Sequence, residues 1–154
     1  MVQRVVGLIG VFMLCVAFDA HADTPIEANG LDARLDGVWV LQSMERGGKK
    51  IENDDMPERM RGTKRTVNGN QMTIARGGGT RQLKCTMTVD TSTSPQQMDL
   101  SMERNGETLV LRCIYEIKNG VLKIAENTQE RPKTFTTDRS STRTLVSSYA
   151  RPNE

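Results

Sequence analysis

The sequence is poor in the residue types that most often carry catalysis. It has one histidine, three cysteines, one tryptophan, two tyrosines and three phenylalanines. His21 and Cys15 lie in the N-terminal segment that we predict is removed as a signal peptide, so the mature chain has no imidazole. This excludes a histidine-based triad, a histidine general base and a histidine-ligated zinc ion, and Cys85 and Cys113 alone are too few for a four-cysteine site. We therefore expect neither an enzyme nor a bound cofactor or metal.

The first residues have the pattern of a secretory signal. Arg4 precedes an apolar run over residues 5–18, and small residues stand at positions −3 and −1 before Asp23, in Ala20-His21-Ala22. The run is shorter than the roughly 20 residues that span a bilayer. We predict a cleaved signal peptide at residues 1–22, export to the periplasm or beyond the cell, and no transmembrane anchor in the mature chain.

The charge balance argues against a nucleic-acid binder. Lysine and arginine total 21 against 19 acidic residues, a net charge of +2, whereas nucleic-acid binders concentrate basic residues in a stripe. The densest basic cluster consists of Arg59, Arg61, Lys64 and Arg65. Its acidic neighbours along the chain are Glu52, Asp54, Asp55 and Glu58. We interpret this region as a solvated surface of mixed charge.

Turn signals dominate the rest of the chain. Asn-Gly occurs at Asn68-Gly69, Asn105-Gly106 and Asn119-Gly120, each time between stretches of alternating polar and apolar residues. Asn-Gly is typical of two-residue type I′ hairpin turns, in which both central residues have positive φ. Gly77-Gly78-Gly79 is also interpreted as a hairpin loop, because a strand and not a helix follows it. The pattern predicts an antiparallel meander.

The predicted elements are almost all short strands. We expect them at residues 38–44, 63–67, 71–76, 81–90, 98–103, 108–117, 121–126, near Phe135, and at 142–149. One short helix is predicted over residues 56–61, between Pro57 and Gly62. A flexible leader covers residues 23–34, and one domain covers residues 35–150. Eight or nine strands at this spacing indicate an all-β, up-and-down antiparallel barrel.

Two of the turns predict the strand register. With Asn105-Gly106 at the centre of its turn, Leu100 faces Leu111 and Met98 faces Cys113. With Asn119-Gly120 at the centre, Tyr115 faces Ile124. Because side chains alternate along a strand, both hairpins place their apolar residues on one shared face. We expect that face to be the inside of the barrel.

Four motifs stand out along the chain: Leu35-Asp36-Gly37-Val38-Trp39, the segment 45–49, Tyr115-Glu116-Ile117 and the segment 130–135. Together they resemble a family of small exported planctomycete proteins that is regarded as lipocalin-like and has no established activity. Gly37-Val38-Trp39 is also similar to the Gly-x-Trp of lipocalins, whose tryptophan closes one end of the barrel under a late basic residue. The resemblance implies a lipocalin-like barrel in which Arg131, Arg143 or Arg151 covers Trp39.

The interior face is rich in methionine and leucine, which leaves two interpretations open. Methionine is common on adaptable binding surfaces, so these residues could line a pocket for a hydrophobic ligand. Alternatively they fill the barrel, since eight strands enclose little more than side chains. The candidate lining residues are Trp39, Met72, Ile74, Leu83, Met87, Met98, Leu100, Met102, Leu111, Tyr115 and Ile124.

Cys85 and Cys113 present conflicting signals. Export favours a disulfide between them. However, one predicted strand lies between theirs, which separates the Cα atoms by about 9–10 Å, and a disulfide needs less than about 7 Å. The geometry favours two buried thiols.

The sequence and this resemblance thus predict an exported lipocalin-like barrel that binds a small hydrophobic molecule or no ligand at all. The alternative function is an interaction or inhibitor module that works through surface loops, such as residues 51–62 and 91–96. A cavity at the barrel mouth would favour the first, and a filled barrel with an apolar outer patch would favour the second.

Overall fold

A computed structural model describes residues 30–77 and 79–152, and the predicted signal peptide lies outside these residues. In this part the chain forms nine strands and two 3₁₀ turns, at Ala33–Leu35 and Asn53–Asp55. No helix among the described residues is long and apolar enough to cross a membrane. The strands are β1 (Gly37–Arg46), β2 (Lys49–Glu52), β3 (Lys64–Asn68), β4 (Gln71–Ala75), β5 (Gln82–Asp90), β6 (Gln96–Arg104), β7 (Glu107–Lys118), β8 (Val121–Asn127) and β9 (Leu145–Ala150).

The sheet closes on itself as an up-and-down antiparallel barrel. Strands β3 to β8 each pair with the next strand along the chain. Strand β1 pairs with both β3 and β9, which completes a ring of eight strands. Strand β2 is an extra strand that pairs only with the second half of β1. The all-β barrel predicted from the turns is confirmed.

Both turns that predicted the register have the expected backbone. Asn105 and Gly106 have φ of 55° and 80°, and Asn119 and Gly120 have φ of 51° and 75°. The predicted partners across β6, β7 and β8 are all observed, including Met98 with Cys113, Leu100 with Leu111 and Tyr115 with Ile124. The third Asn-Gly differs: Asn68 pairs with Gln71, so Gly69 and Asn70 form the turn and only Gly69 has positive φ.

Three local predictions are wrong. Residues 56–61 form hydrogen-bonded turns and no helix, because Pro57 and Gly62 leave too few residues between them to propagate one. Phe135 is not in a strand; it packs on the outer face of the barrel against Ile114, Ala125 and Val146, so its apolar character reflects this packing and not strand pairing. Strand β2 was not predicted, although Gly47-Gly48, with φ of 61° and 73°, turns β1 into it.

The predicted flexible leader is in part a structural element of the barrel. Residues 23–29 lie outside the described chain, but Gly30 forms a bridge with Val89 and Leu35 is fully buried. Asp32 accepts hydrogen bonds from the Tyr115 hydroxyl (2.9 Å) and the Arg34 guanidinium (2.6 Å). Residues 30–35 therefore seal one end of the barrel, which we call the closed end.

Candidate functional site

The closed end is built around Trp39. Its indole is 1% exposed, and Nε1 donates a hydrogen bond to the Leu35 carbonyl (2.7 Å). The Arg151 guanidinium lies 4.3 Å from the centre of the indole ring and donates to the carbonyls of Asp36 (2.8 Å) and Arg34 (3.1 Å). Of the three late arginines, Arg151 is therefore the one that covers Trp39.

Gly37 makes room for this arginine. Its φ of +109° lies in a region that side chains rarely adopt, and a Cβ there would be 2.4 Å from Arg151 Nη1. The glycine of Gly37-Val38-Trp39 is thus needed both for the backbone turn into β1 and for the stacked arginine. Arg131 and Arg143 lie elsewhere: Arg131 forms an ion pair with Asp99 (2.9 Å), and Arg143 donates to Gln129.

Side chains fill the barrel interior. Met72, Met98, Leu100, Tyr115 and Ile124 are fully buried and belong to one contiguous cluster. The other predicted lining residues in that cluster are Trp39, Met87 and Met102, with Ile74 and Leu111 half-buried against it. Leu83, at the start of β5, is 38% exposed. The centre of the barrel is therefore a packed core. This agrees with the second of the two interpretations drawn from the sequence, in which side chains fill the barrel.

A buried cation completes this interior. Arg65 is 3% exposed, and its guanidinium donates to Tyr149 Oη (2.8 Å) and Glu126 Oε2 (2.7 Å) and lies 5.0 Å from the Tyr149 ring centre. Burial alone would lower the pKa of Arg65, but Tyr149 and Glu126 outweigh it and raise that pKa, so the group stays charged. The prediction that Arg65 belongs to a solvated surface is wrong. The sequence did contain a sign of this burial. Arg65 stands two residues before the apolar Val67 on the same strand, so both side chains point to the inside of the barrel.

Cys85 and Cys113 are free thiols, as the geometry favoured. Both are buried, and burial raises the pKa of each thiol above its ordinary value. Strand β6 lies between their two strands, as predicted, and the separation is larger than the sequence suggested because the two residues are also offset along the strands. Across β6, Cys113 faces Met98, and Met98 faces Val89, four residues beyond Cys85.

The opposite end of the barrel carries an apolar cleft of about 350 Å³. We call it the mouth cleft. It is lined by Met44, Arg46, Lys49, Ile51, Met60, Arg76 and Leu145. None of the lining residues predicted from the sequence borders it. Its size lies at the lower end of the roughly 300–1,000 Å³ typical of small-molecule sites.

A β-bulge aims the end of β1 into this cleft. Leu41 pairs with Tyr149 and Met44 with Ser147, so β1 uses one residue more than β9 over the same distance. The extra residue reverses the alternation and turns Met44 toward the inside face that Tyr149 occupies. On the other side, Met44 pairs with Ile51 and Arg46 with Lys49, which brings four lining residues together on the β1–β2 hairpin.

The remaining wall comes from two loops that touch each other. Met60 belongs to the turn segment after Glu52, and Arg76 follows β4. The two loops meet where Gly77 packs on the Arg61 backbone; a Cβ on Gly77 would lie 1.5 Å from the Arg61 carbonyl oxygen. The lack of a side chain at this position lets the wall close.

A second cleft, of about 460 Å³, is polar. It is lined by Asn127, Gln129, Glu130, Ser140, Ser141, Thr142, Arg143 and Thr144. Much of its hydrogen-bonding capacity is used internally, since Asn127 donates to Thr144 (3.2 Å) and the hydroxyls of Ser140 and Ser141 bond to Asp138. Within residues 30–77 and 79–152, no group of three His, Cys, Asp or Glu side chains converges as a metal site would require.

Comparison with protein-family models, with curated proteins and with solved structures found no significant match to this chain. The geometry of the chain itself therefore carries the functional argument.

Proposed function

We propose that this protein is an exported, lipocalin-like binding protein that holds one small apolar molecule in the mouth cleft. The observation that carries the proposal is the apolar floor of that cleft, formed by Met44, Ile51, Met60 and Leu145. The first three also pack against the main core, so a bound apolar group would be continuous with the interior. Burying such a group gains about 25 cal/mol for each Å² removed from water.

The flexibility of the floor suits an adaptable site. Met44 and Met60 are half-buried, and methionine side chains can adjust to ligands of different shape. The barrel beneath them is packed, so the ligand lies at the mouth and not in the centre. This differs from the position expected from the sequence, where the interior methionines and leucines were the candidates.

The pairing of Gly37-x-Trp39 with a stacked Arg151 supports the lipocalin-like assignment. Export is supported by the signal-like pattern of residues 1–22. The alternative of a surface-interaction module has less support, because the outer apolar cluster of Ile114, Ala125 and Val146 is covered by Phe135 of the same chain.

The test uses an uncharged fluorescent probe, N-phenyl-1-naphthylamine, titrated with the purified mature protein. We expect one saturable site, weakened at least fivefold in the double variant Ile51→Gln/Met60→Gln, whose glutamines carry polar groups into the floor. Val121→Gln is the matched control, because Val121 is 38% exposed and lies outside the cleft. Absence of saturable binding, or equal binding by both variants, would overturn the proposal.

A further inference from the structure

We infer that the ligand of the mouth cleft is a single-chain amphiphile with an anionic head group, held by Arg46, Lys49 and Arg76. This inference rests on the proposed function and adds the chemical class of the ligand. Every charged residue that lines the cleft is a cation. The remaining lining residues are apolar, so the cleft combines a hydrophobic floor with basic edges.

The three cations have no internal partners among the described residues. Each is exposed, and none makes an ion pair or a side-chain hydrogen bond with another side chain or carbonyl there. Several cations elsewhere on the barrel are paired: Arg65 with Glu126, Lys118 with Glu116 and Arg131 with Asp99. Three unpaired cations at one cleft repel one another, and an anion between them would relieve that repulsion.

The carboxylates on the strands next to the cleft are engaged elsewhere. Glu45 points away from the cleft and accepts hydrogen bonds from the backbone N–H and hydroxyl of Thr137 (2.9 and 2.8 Å). Glu52 pairs with Lys50 (2.7 Å), and Glu126 is held inside the barrel by Arg65. The acidic groups of the adjoining strands therefore do not neutralise the basic edge.

The strand pairing places cation and floor side by side. Arg46 faces Lys49 across the β1–β2 hairpin, and the next inward pair toward the barrel is Met44 with Ile51. An apolar chain lying on Met44 and Ile51 would thus carry its head group to Arg46 and Lys49. An alcohol would fill the floor equally well but leave the cations without a partner.

The test compares dodecanoate, below its critical micelle concentration, with dodecanol, below its solubility limit, in displacing N-phenyl-1-naphthylamine from the mature protein. We expect dodecanoate to bind about tenfold more tightly, as several partly desolvated charge pairs allow, and the preference to shrink in high salt. In the triple variant Arg46→Gln/Lys49→Gln/Arg76→Gln, dodecanoate should lose this advantage while dodecanol binds as before. Dodecyltrimethylammonium should bind more weakly than dodecanol.

The control is the triple variant Lys84→Gln/Arg104→Gln/Lys133→Gln, which removes equal charge from exposed sites outside the cleft. It should keep the preference for dodecanoate. Equal binding of dodecanoate and dodecanol to the wild type would overturn the head-group inference and leave the proposed function standing. Failure of both to bind would overturn the two together. Sedimentation with phosphatidylglycerol vesicles that depends on the three cations, without dodecanoate binding, would assign the basic edge to a membrane surface and also overturn the inference.

Discussion

The guanidinium of Arg151 lies over the indole of Trp39, 4.3 Å from the ring centre, and joins the last residues of the barrel to the first strand. The same guanidinium donates to the Asp36 and Arg34 carbonyls, so one side chain holds the ring, the turn before β1 and the end of β9 together. Cation–π contacts of this kind contribute about 0.5–2 kcal/mol, depending on how far they are desolvated.

Trp39 should therefore be both buried and costly to remove. We expect Trp39→Ala to lower the free energy of unfolding by roughly 3–5 kcal/mol, as large-to-small core changes do. Because the chain has one tryptophan, its fluorescence reports this site alone. Blue-shifted emission that iodide quenches poorly is the expected result, and red emission with free quenching would contradict the closed end described above.

The ion pair inside the barrel should behave as a unit. Removing one partner, in Arg65→Met or Glu126→Gln, should cost about 3–5 kcal/mol in urea unfolding, because the other is left in the core without its partner. The double variant should cost clearly less than the sum of the two. The exposed pair of Lys118 and Glu116 is the control, with an expected coupling of at most about 1 kcal/mol. Additive losses at Arg65 and Glu126 would show that the two groups are not coupled.

Adjacent residues of β6 should respond in opposite ways to the same substitution. Leu100 is fully buried and faces Leu111, whereas Ser101 is half-buried on the other face. Leu100→Asp should prevent stable folding because it buries an unpaired charge, while Ser101→Asp should change stability by about 1 kcal/mol or less. Thermal unfolding of both variants checks the strand register, which equal tolerance would refute.

The Asp32 carboxylate should make stability depend on acid. The hydrogen bond from the Arg34 side chain, followed by that from Tyr115, lowers the pKa of Asp32 in spite of its burial. Because the pKa of this carboxyl is lower in the folded protein than in the unfolded chain, its ionised form stabilises the fold. This stabilisation is fully present above the unfolded-state pKa of about 3.9 and is lost as the pH falls through the folded-state pKa. Asp32→Asn should thus destabilise the protein at neutral pH and lose that effect in strong acid, as measured by urea unfolding at several pH values. A difference that stays constant with pH would contradict this.

The two thiols should be present but hidden. Thiol titration of the denatured, non-reduced mature protein should count both Cys85 and Cys113, while the native protein should react slowly because burial raises the pKa of both groups. A denatured count of zero would mean that β5 and β7 approach more closely than the register allows.

The sequence predicted those parts of the fold that depend on the residues of a single turn. Asn105-Gly106 and Asn119-Gly120 need positive φ at both positions, and that requirement alone determined which residues of β6, β7 and β8 face each other. The same dipeptide at Asn68-Gly69 does not determine its register in this way. There Gly69 and Asn70 are the central turn residues, so the turn lies one residue later than Asn-Gly predicts.

The mouth cleft could not be predicted in the same way. It depends on a bulge near Gln42 that no turn residue marks, and on the short strand β2, whose charged residues do not alternate. It also depends on contacts between two loops far apart in sequence. The burial of Arg65 has a different cause. The partners that make it possible, Glu126 and Tyr149, lie more than 60 residues further along the chain, so the local sequence shows only a charged residue among other charged residues.

Under the proposed function, the contact between Gly77 and the Arg61 carbonyl offers a way to change the preferred ligand without altering any residue that lines the mouth cleft. Any side chain at position 77 must push the two loops apart, since a Cβ would lie 1.5 Å from that oxygen. Met60 and Arg76 are carried on those loops, so the spacing between the apolar floor and one of its three cations would change with it. Related barrels that differ only at this glycine would then share a core and a closed end and yet select amphiphiles of different length.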